Sequence, residues 1–165
     1  MLRPITQEDA PAVFAWASDP EVNRYMPYPL HKSIEDTRAW IASITPDMLE
    51  FGFCRKDSGQ LIGTGGVGKN EEGVHTLGYN LRHDAWGYGY ATEAAQAMLA
   101  WAYHSLGVRD FVLDHAVLNM ASGNVARKCG FQLTHYGQYS CFDGSETFDA
   151  AFYELHLKGD EAYVY

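Results

Sequence analysis

Trp86-Gly87-Tyr88-Gly89-Tyr90-Ala91-Thr92-Glu93 separates a run of β-type residues from the strongest helical pattern in the chain. Ala91, Ala94, Ala95, Met98, Leu99, Ala102 and Leu106 recur at i, i+3, i+4 spacing, which predicts a helix over 90–106 with Gly107 as its stop. Before the stretch, Val74 to Leu81 reads as a strand. After the helix, Asp110 to Val117 places Phe111, Leu113, His115 and Val117 on one face of another. Strand, long helix, strand implies a parallel crossover. The glycines permit close backbone approach, and the helix start offers unsatisfied N–H groups at the positive end of its dipole, a combination suited to a pyrophosphate. The stretch lacks the third glycine of the dinucleotide fingerprint, which argues against a Rossmann fold.

Upstream, Leu2 to Ile5 predicts a short strand, and Thr6-Gln7-Glu8-Asp9 an N-cap with an acidic first turn leading into a helix that bears Val13, Phe14 and Ala17. That helix stops near Asp19-Pro20. A Pro-rich aromatic loop, Tyr25-Met26-Pro27-Tyr28-Pro29, leads to a second helix start at Ser33-Ile34-Glu35-Asp36, whose buried side continues through Ile41 and Ile44. Phe51 to Arg55, Leu61 to Val67 and Val74 to Leu81 alternate with turn residues as an antiparallel meander. Downstream, a short helix ends at Cys129-Gly130, and β-type runs flanking Asp143-Gly144 predict a closing hairpin. The fold class is α+β, with a largely antiparallel sheet containing one parallel pair.

A length of 165 residues with 47% hydrophobic content suits one domain, 1–165, with its own core. No segment reaches the roughly 18 to 20 apolar residues of a membrane span, and Met1 to Thr6 has no signal-peptide character, so the expectation is a soluble protein without a membrane partner. Cys54, Cys129 and Cys141 are widely spaced and odd in number, which suggests neither disulfides nor a metal site and fits a reducing cytoplasm. A net charge of −9 argues against nucleic acid, which selects basic patches, and favours cationic partners.

A second glycine motif competes with the first. Gly63-Thr64-Gly65-Gly66-Val67-Gly68-Lys69-Asn70 nearly matches the phosphate loop of nucleotide hydrolases. That loop requires Ser or Thr after the Lys, to hold magnesium, and a helix starting there. Here Asn70-Glu71-Glu72-Gly73 follows, so a strand and its hairpin turn is the preferred reading, with the hydrolase as the alternative.

The stretch Trp86 to Ala94 resembles the coenzyme A loop of the GNAT acetyltransferases. Asn119-Met120-Ala121-Ser122-Gly123-Asn124-Val125-Ala126-Arg127-Lys128-Cys129-Gly130-Phe131 is similar to a later helix of that family, and is nearest to the branch that acetylates ribosomal-protein N-termini. Leu2-Arg3-Pro4 and Asp19-Pro20-Glu21-Val22 agree with that branch. The resemblance implies the acyl-CoA N-acyltransferase fold: a twisted sheet of about six or seven strands with one splayed parallel pair, flanked by about four helices. It implies acetyl-CoA as cosubstrate, no metal, and an amine acceptor that is either a peptide N-terminus or a small molecule. It leaves the protein as a monomer or homodimer.

By the same resemblance, the backbone around Leu81 and Arg82 pairs with pantetheine, and the amides of Gly87, Tyr88, Gly89, Tyr90 and Ala91, with Thr92, cradle the pyrophosphate. Arg82, His83, Arg127 and Lys128 flank the groove. Asn119 contacts the pantetheine arm, Ser122 protonates the departing thiolate, and a backbone N–H at the end of the 74–81 strand stabilises the carbonyl oxygen. Asn119 and Ser122 are equally the residue types of a helix cap. Where other family members carry a Tyr one turn later, Ala126 stands here. The base is unassigned by the pattern. Thr76 occupies the place of the family's Glu, and neighbouring His75 has a suitable ordinary pKa but sits on the opposite strand face. Water relayed by Asn80 or Thr76 is the other candidate. Tyr25 to His31, Tyr136 and Tyr139 are expected to line the acceptor pocket. The missing Glu and Tyr leave a catalytically silent acetyl-CoA sensor as a further reading.

Overall fold

The structure is a computed structural model that describes residues 1–45 and 48–158. Its elements run β1 (Leu2–Pro4), a single 3-10 turn, α1 (Ala10–Ala17), α2 (Ile34–Ser43), β2 (Leu49–Cys54), β3 (Leu61–Lys69), β4 (His75–Leu81), a second 3-10 turn, α3 (Tyr90–Leu106), β5 (Asp110–Ala116), α4 (Met120–Lys128), β6 (Gln132–Ser140) and β7 (Thr147–His156). The strands make one seven-stranded sheet in the order β1-β2-β3-β4-β5-β7-β6. The expected meander is β2 to β4, with the expected first strand, β1, added to its edge against β2. The expected hairpin is β6–β7, turning where Gly144 adopts φ 73°.

The local chemistry behind these elements is specific. The Ser33 hydroxyl accepts the Asp36 amide at 3.3 Å while the Asp36 carboxylate accepts the Ser33 amide at 2.9 Å, so α2 starts on a reciprocal cap. The apolar stripe of α3, Ala94, Ala95, Met98, Leu99 and Ala102, is buried against the sheet, whereas Leu106 at its end is 49% exposed, because Gly107 turns left-handed there and ends the packed face. Ile44 and Val117, expected to continue buried faces, lie just beyond α2 and β5. Val117 is exposed because its strand has already ended.

The run Gly63 to Lys69 is the centre of the sheet. A Cβ on Gly63 would meet the Asn80 carbonyl oxygen at 2.5 Å, and one on Gly65 would meet the Gly78 carbonyl oxygen at 2.5 Å and the Phe53 ring at 2.6 Å. These glycines therefore serve close strand contact, and a turn rather than a helix follows them, so the phosphate-loop reading has no structural basis.

The crossover contains the feature that organises the site. β4 and β5 pair in parallel only at His75↔Phe111 and Thr76↔Val112. Beyond those two rungs the strands diverge, each still held on its other side, β4 by β3 through Leu81 and β5 by β7 through Ala116. A wedge-shaped gap opens in the middle of the sheet.

Candidate active site

Alternation along β4 determines which backbone groups face the gap. Arg82 donates its amide to the Ile62 carbonyl at 2.9 Å, so the even-numbered residues of β4 bond toward β3 and the amides of Leu77, Tyr79 and Leu81 face β5. The Leu77 amide is used by the Thr76↔Val112 rung, and beyond it the amides of Tyr79 and Leu81 have no partner on β5. The Leu81 carbonyl has a substitute, the Trp86 indole N–H at 3.0 Å, which pins the loop after β4 beneath the start of α3.

At that start, Gly87 and Gly89 have φ of 82° and 84°, and both are exposed with open space where a Cβ would lie. Glu93 is the first residue whose amide bonds back into the turn, to the Gly89 carbonyl at 3.0 Å. The amides from Gly87 to Thr92 meet no acceptor among the described residues and open to solvent beside the gap. They form a nest of N–H groups at the positive end of a 17-residue helix.

On the far side of the gap, α4 sits close to β5 because residue 123 is glycine: a Cβ there would meet His115 Nε2 at 2.9 Å. This brings Ser122 to β4. The Asn119 side-chain carbonyl accepts the Ser122 amide at 3.2 Å, so Asn119 caps α4. The Ser122 hydroxyl in turn lies 2.9 Å from the Tyr79 phenol, which also donates toward the Ser122 carbonyl at 3.3 Å. Burial raises the Tyr79 pKa well above that of an ordinary phenol, so it stays protonated at neutral pH. Sequence reasoning missed Tyr79. Ala126, where relatives carry a tyrosine, is fully buried, and a phenol arrives at the neighbouring position from the strand instead. No periodicity marks a strand residue as the partner of a helix residue 43 positions later.

A cavity of about 1100 Å³ opens from the gap between the sheet and the α1–α2 connection. The whole segment from Tyr25 to Lys32 borders it, as do Trp40, Asn80, Asp114, Ser122 and Tyr139. The Tyr139 phenol donates to the Tyr25 carbonyl at 2.5 Å, tying the closing hairpin to the aromatic loop. Tyr136, named with it from the sequence, points away and is 67% exposed: the two differ by three positions on a strand, so they face opposite sides. His75 does not border the cavity. It sits at the closed end of the splay with its ring against Phe111, and burial together with Lys69 lowers its pKa.

The basic residues beside the groove differ in availability. Arg82 is engaged by Asp84 at 2.7 Å, His83 lies 3.5 Å from Glu21, and Arg127 bonds the Asn124 side chain. The Lys128 side chain is exposed without an ion-pair partner among the described residues. Glu93 is exposed in the first turn of α3, where its negative charge faces the positive end of the helix dipole.

Residues 1–132 match the acetyltransferase (GNAT) domain family, and the chain belongs to that family. Among its relatives, it is 32% identical over 114 residues to the N-acetyltransferase p20 of Bacillus licheniformis, covering 65% of this chain and 64% of that one. It is 27% identical over 162 residues to the N-acetyltransferase YoaA of Bacillus subtilis, covering 94% and 92% respectively. Spermidine N-acetyltransferase from Vibrio cholerae, solved in complex with CoA and spermine, shares the fold with a TM-score of 0.81 at 16% identity, over 99% of this chain and 96% of that one.

Proposed function

We propose that the protein transfers the acetyl group of acetyl-CoA to a primary amine by direct attack within a ternary complex. The observation that carries this reading is the row of unbonded amides from Gly87 to Thr92 standing beside strands that part after two rungs. The nest suits two linked phosphates, and the gap suits a narrow arm threaded toward the cavity. The gap-facing amides of Tyr79 and Leu81 would hold that arm, with Asn119 on the other bank and Lys128 outside near the phosphates.

When bound, acetyl-CoA supplies an acetyl group activated as a thioester. The protein's part is positioning and proton traffic. The Tyr79 N–H, aimed into the gap, stabilises negative charge on the acetyl oxygen. The Ser122 hydroxyl, held by the Tyr79 phenol 2.9 Å away, supplies a proton to the departing sulfur, and the hydroxyl pair is made whole again by the second proton that the nitrogen sheds, through water, as it becomes an amide. Aromatic faces and acidic side chains around the cavity favour a cationic amine. Both a peptide N-terminus, as in the ribosomal-protein branch, and a small-molecule amine satisfy that chemistry, and a reducing cytoplasm suits Cys54, Cys129 and Cys141, which form no disulfide among the described residues.

A thermal melt tests the reading. Acetyl-CoA at 100 times its dissociation constant should stabilise the fold by about 2.7 kcal/mol, and ATP with magnesium should not. Thiol release should then follow on adding spermidine or an unblocked alanine tripeptide. Absence of stabilisation ends the proposal; stabilisation without thiol release from any amine points to the silent sensor.

A further inference from the structure

The nucleophile must lose a proton before it can attack. Thr76 borders the cavity but its hydroxyl is no base at neutral pH, and His75 lies outside the cavity. Glu50 meets both conditions. It is the second residue of β2, opposite Gly66, and Gly66 in turn lies opposite Gly78 of β4. Directly paired residues share a sheet face, so the row Glu50, Gly66, Gly78 has one side chain followed by two bare positions leading to the edge of the gap. The Glu50 carboxylate lies over the first of these: its Oε2 is 2.5 Å from where a Cβ on Gly66 would stand. All three residues border the cavity. With strands spaced about 4.8 Å apart, a carboxylate above β3 is roughly 5 to 10 Å from an amine held over the β4 edge, a distance spanned by one water at its near end and by a short file of waters at its far end.

We propose that Glu50 is the general base of the amine transfer, reaching the acceptor from two strands away across a floor cleared by Gly66 and Gly78. This inference rests on the amine-acetylation reading above. The step is a single proton transfer: the ammonium N–H bond breaks, a carboxyl O–H bond forms on Glu50, and the nitrogen keeps the electron pair that it will use on the acetyl carbon. The proton then leaves to solvent through the cavity mouth.

The surroundings suit the task. Among the described residues the carboxylate has neither an ion-pair partner nor a hydrogen-bond donor, and burial alone raises its pKa from an ordinary 4.5 to about 7. The titratable groups facing this region are Tyr25, Tyr28, His31, Lys32 and Asp36 from the aromatic loop and α2, Arg3 from β1, Tyr79 from β4, and Asp114, His115 and Tyr139 across the gap. Arg3 is held by Asp9 at 2.6 Å and His31 by the Thr37 hydroxyl at 2.8 Å. Only Tyr28 registers the Glu50 charge, which helps to raise its phenol. The Tyr28 hydroxyl accepts from the Asn80 side-chain amide at 3.3 Å, which ties the aromatic loop to β4 beside the cavity.

The test compares the full-length protein with Glu50→Gln. Acetyl-CoA affinity by calorimetry should be unchanged, because Glu50 lies on the acceptor side. With spermidine and with the alanine tripeptide, wild-type kcat/KM should rise with pH toward a plateau above about 7 as the carboxyl ionises. E50Q should lose roughly 10²-fold or more at pH 7, lack that limb, and recover toward wild type at pH 9 to 10, where free amine forms unaided. A residue that only positions the acceptor would change KM and keep the limb. An E50Q profile parallel to wild type overturns the inference while leaving the acetyltransferase reading intact, whereas failure of the wild type to bind acetyl-CoA overturns both. Should neither probe be acetylated, an infrared carboxyl titration, wild type minus E50Q, decides: a midpoint near 7 supports the inference and one near about 4.3 overturns it.

Discussion

At the scale of single residues, the site depends on groups whose ionisation is determined by what surrounds them. Tyr79 and Ser122 are hydrogen-bonded to each other, and if they act as the one proton-donating unit proposed above, their removal should be non-additive. Tyr79→Phe and Ser122→Ala should each lower kcat by about 10- to 100-fold with acetyl-CoA affinity retained, and the double variant should be little worse than either. Rapid-mixing thiol assays on the three variants check this, and losses that multiply would mean that the two hydroxyls act independently. Glu50 carries a stability consequence as well. Its folded pKa of about 7 lies above the ordinary 4.5, so between those values the folded state binds more protons than the unfolded one. Stability contributed by this group is present below pH 4.5 and is lost as pH rises through about 7. Glu50→Gln should therefore be near neutral at pH 4.5 and stabilising at pH 8, on the order of 1 to 3 kcal/mol after allowance for the residue's partial exposure, as read from urea unfolding at the two pH values.

At the scale of elements, two sets of glycines do different work. Those of β3 are spacers in a crowded sheet, and Gly65→Ala should cost about 1 to 3 kcal/mol because the new methyl meets the Gly78 carbonyl and the Phe53 ring. Those before α3 are conformational: Gly89 has φ 84° and open space around it. Gly89→Ala should thus cost about 1 kcal/mol in chemical unfolding, yet weaken acetyl-CoA binding disproportionately as the nest of amides is turned out of line. Equal effects on stability and binding for both substitutions would show that the junction is no more than a helix start. Much of this level was legible in the chain. The bounds of α3 follow from its apolar spacing and from Gly107, and α2 from Ser33 and Asp36. The meander follows from its turn residues. The place of the last hairpin was not legible: β7 rather than β6 lies next to β5, a choice made by which strand carries buried Ala150, Ala151 and Tyr153 into the core.

At the scale of the whole molecule, the sheet is a frame that holds two strands apart. β3 and β7 anchor the outer edges of β4 and β5, α3 and α4 pack beside them, and the gap between is where backbone N–H groups, the Ser122–Tyr79 pair and the acidic, aromatic cavity converge. A net charge of −9 sets the surrounding field against an anionic cofactor and in favour of a cationic acceptor, so under the proposed function cofactor capture would rest on short-range hydrogen bonds to the amide nest rather than on long-range attraction. The sequence by itself determined the local pieces: the helices and strands, the glycine junction with its exposed helix start, and the family to which those motifs belong. It did so because caps, turns and amphipathic periods are set by neighbours within a few positions along the chain. Only the tertiary structure decided that β4 and β5 part after two rungs, that Tyr79 meets Ser122, and that Glu50 looks across two glycines into the cavity. Each of these joins residues distant in sequence through strand register and side-chain face, and both are settled when the whole sheet packs at once.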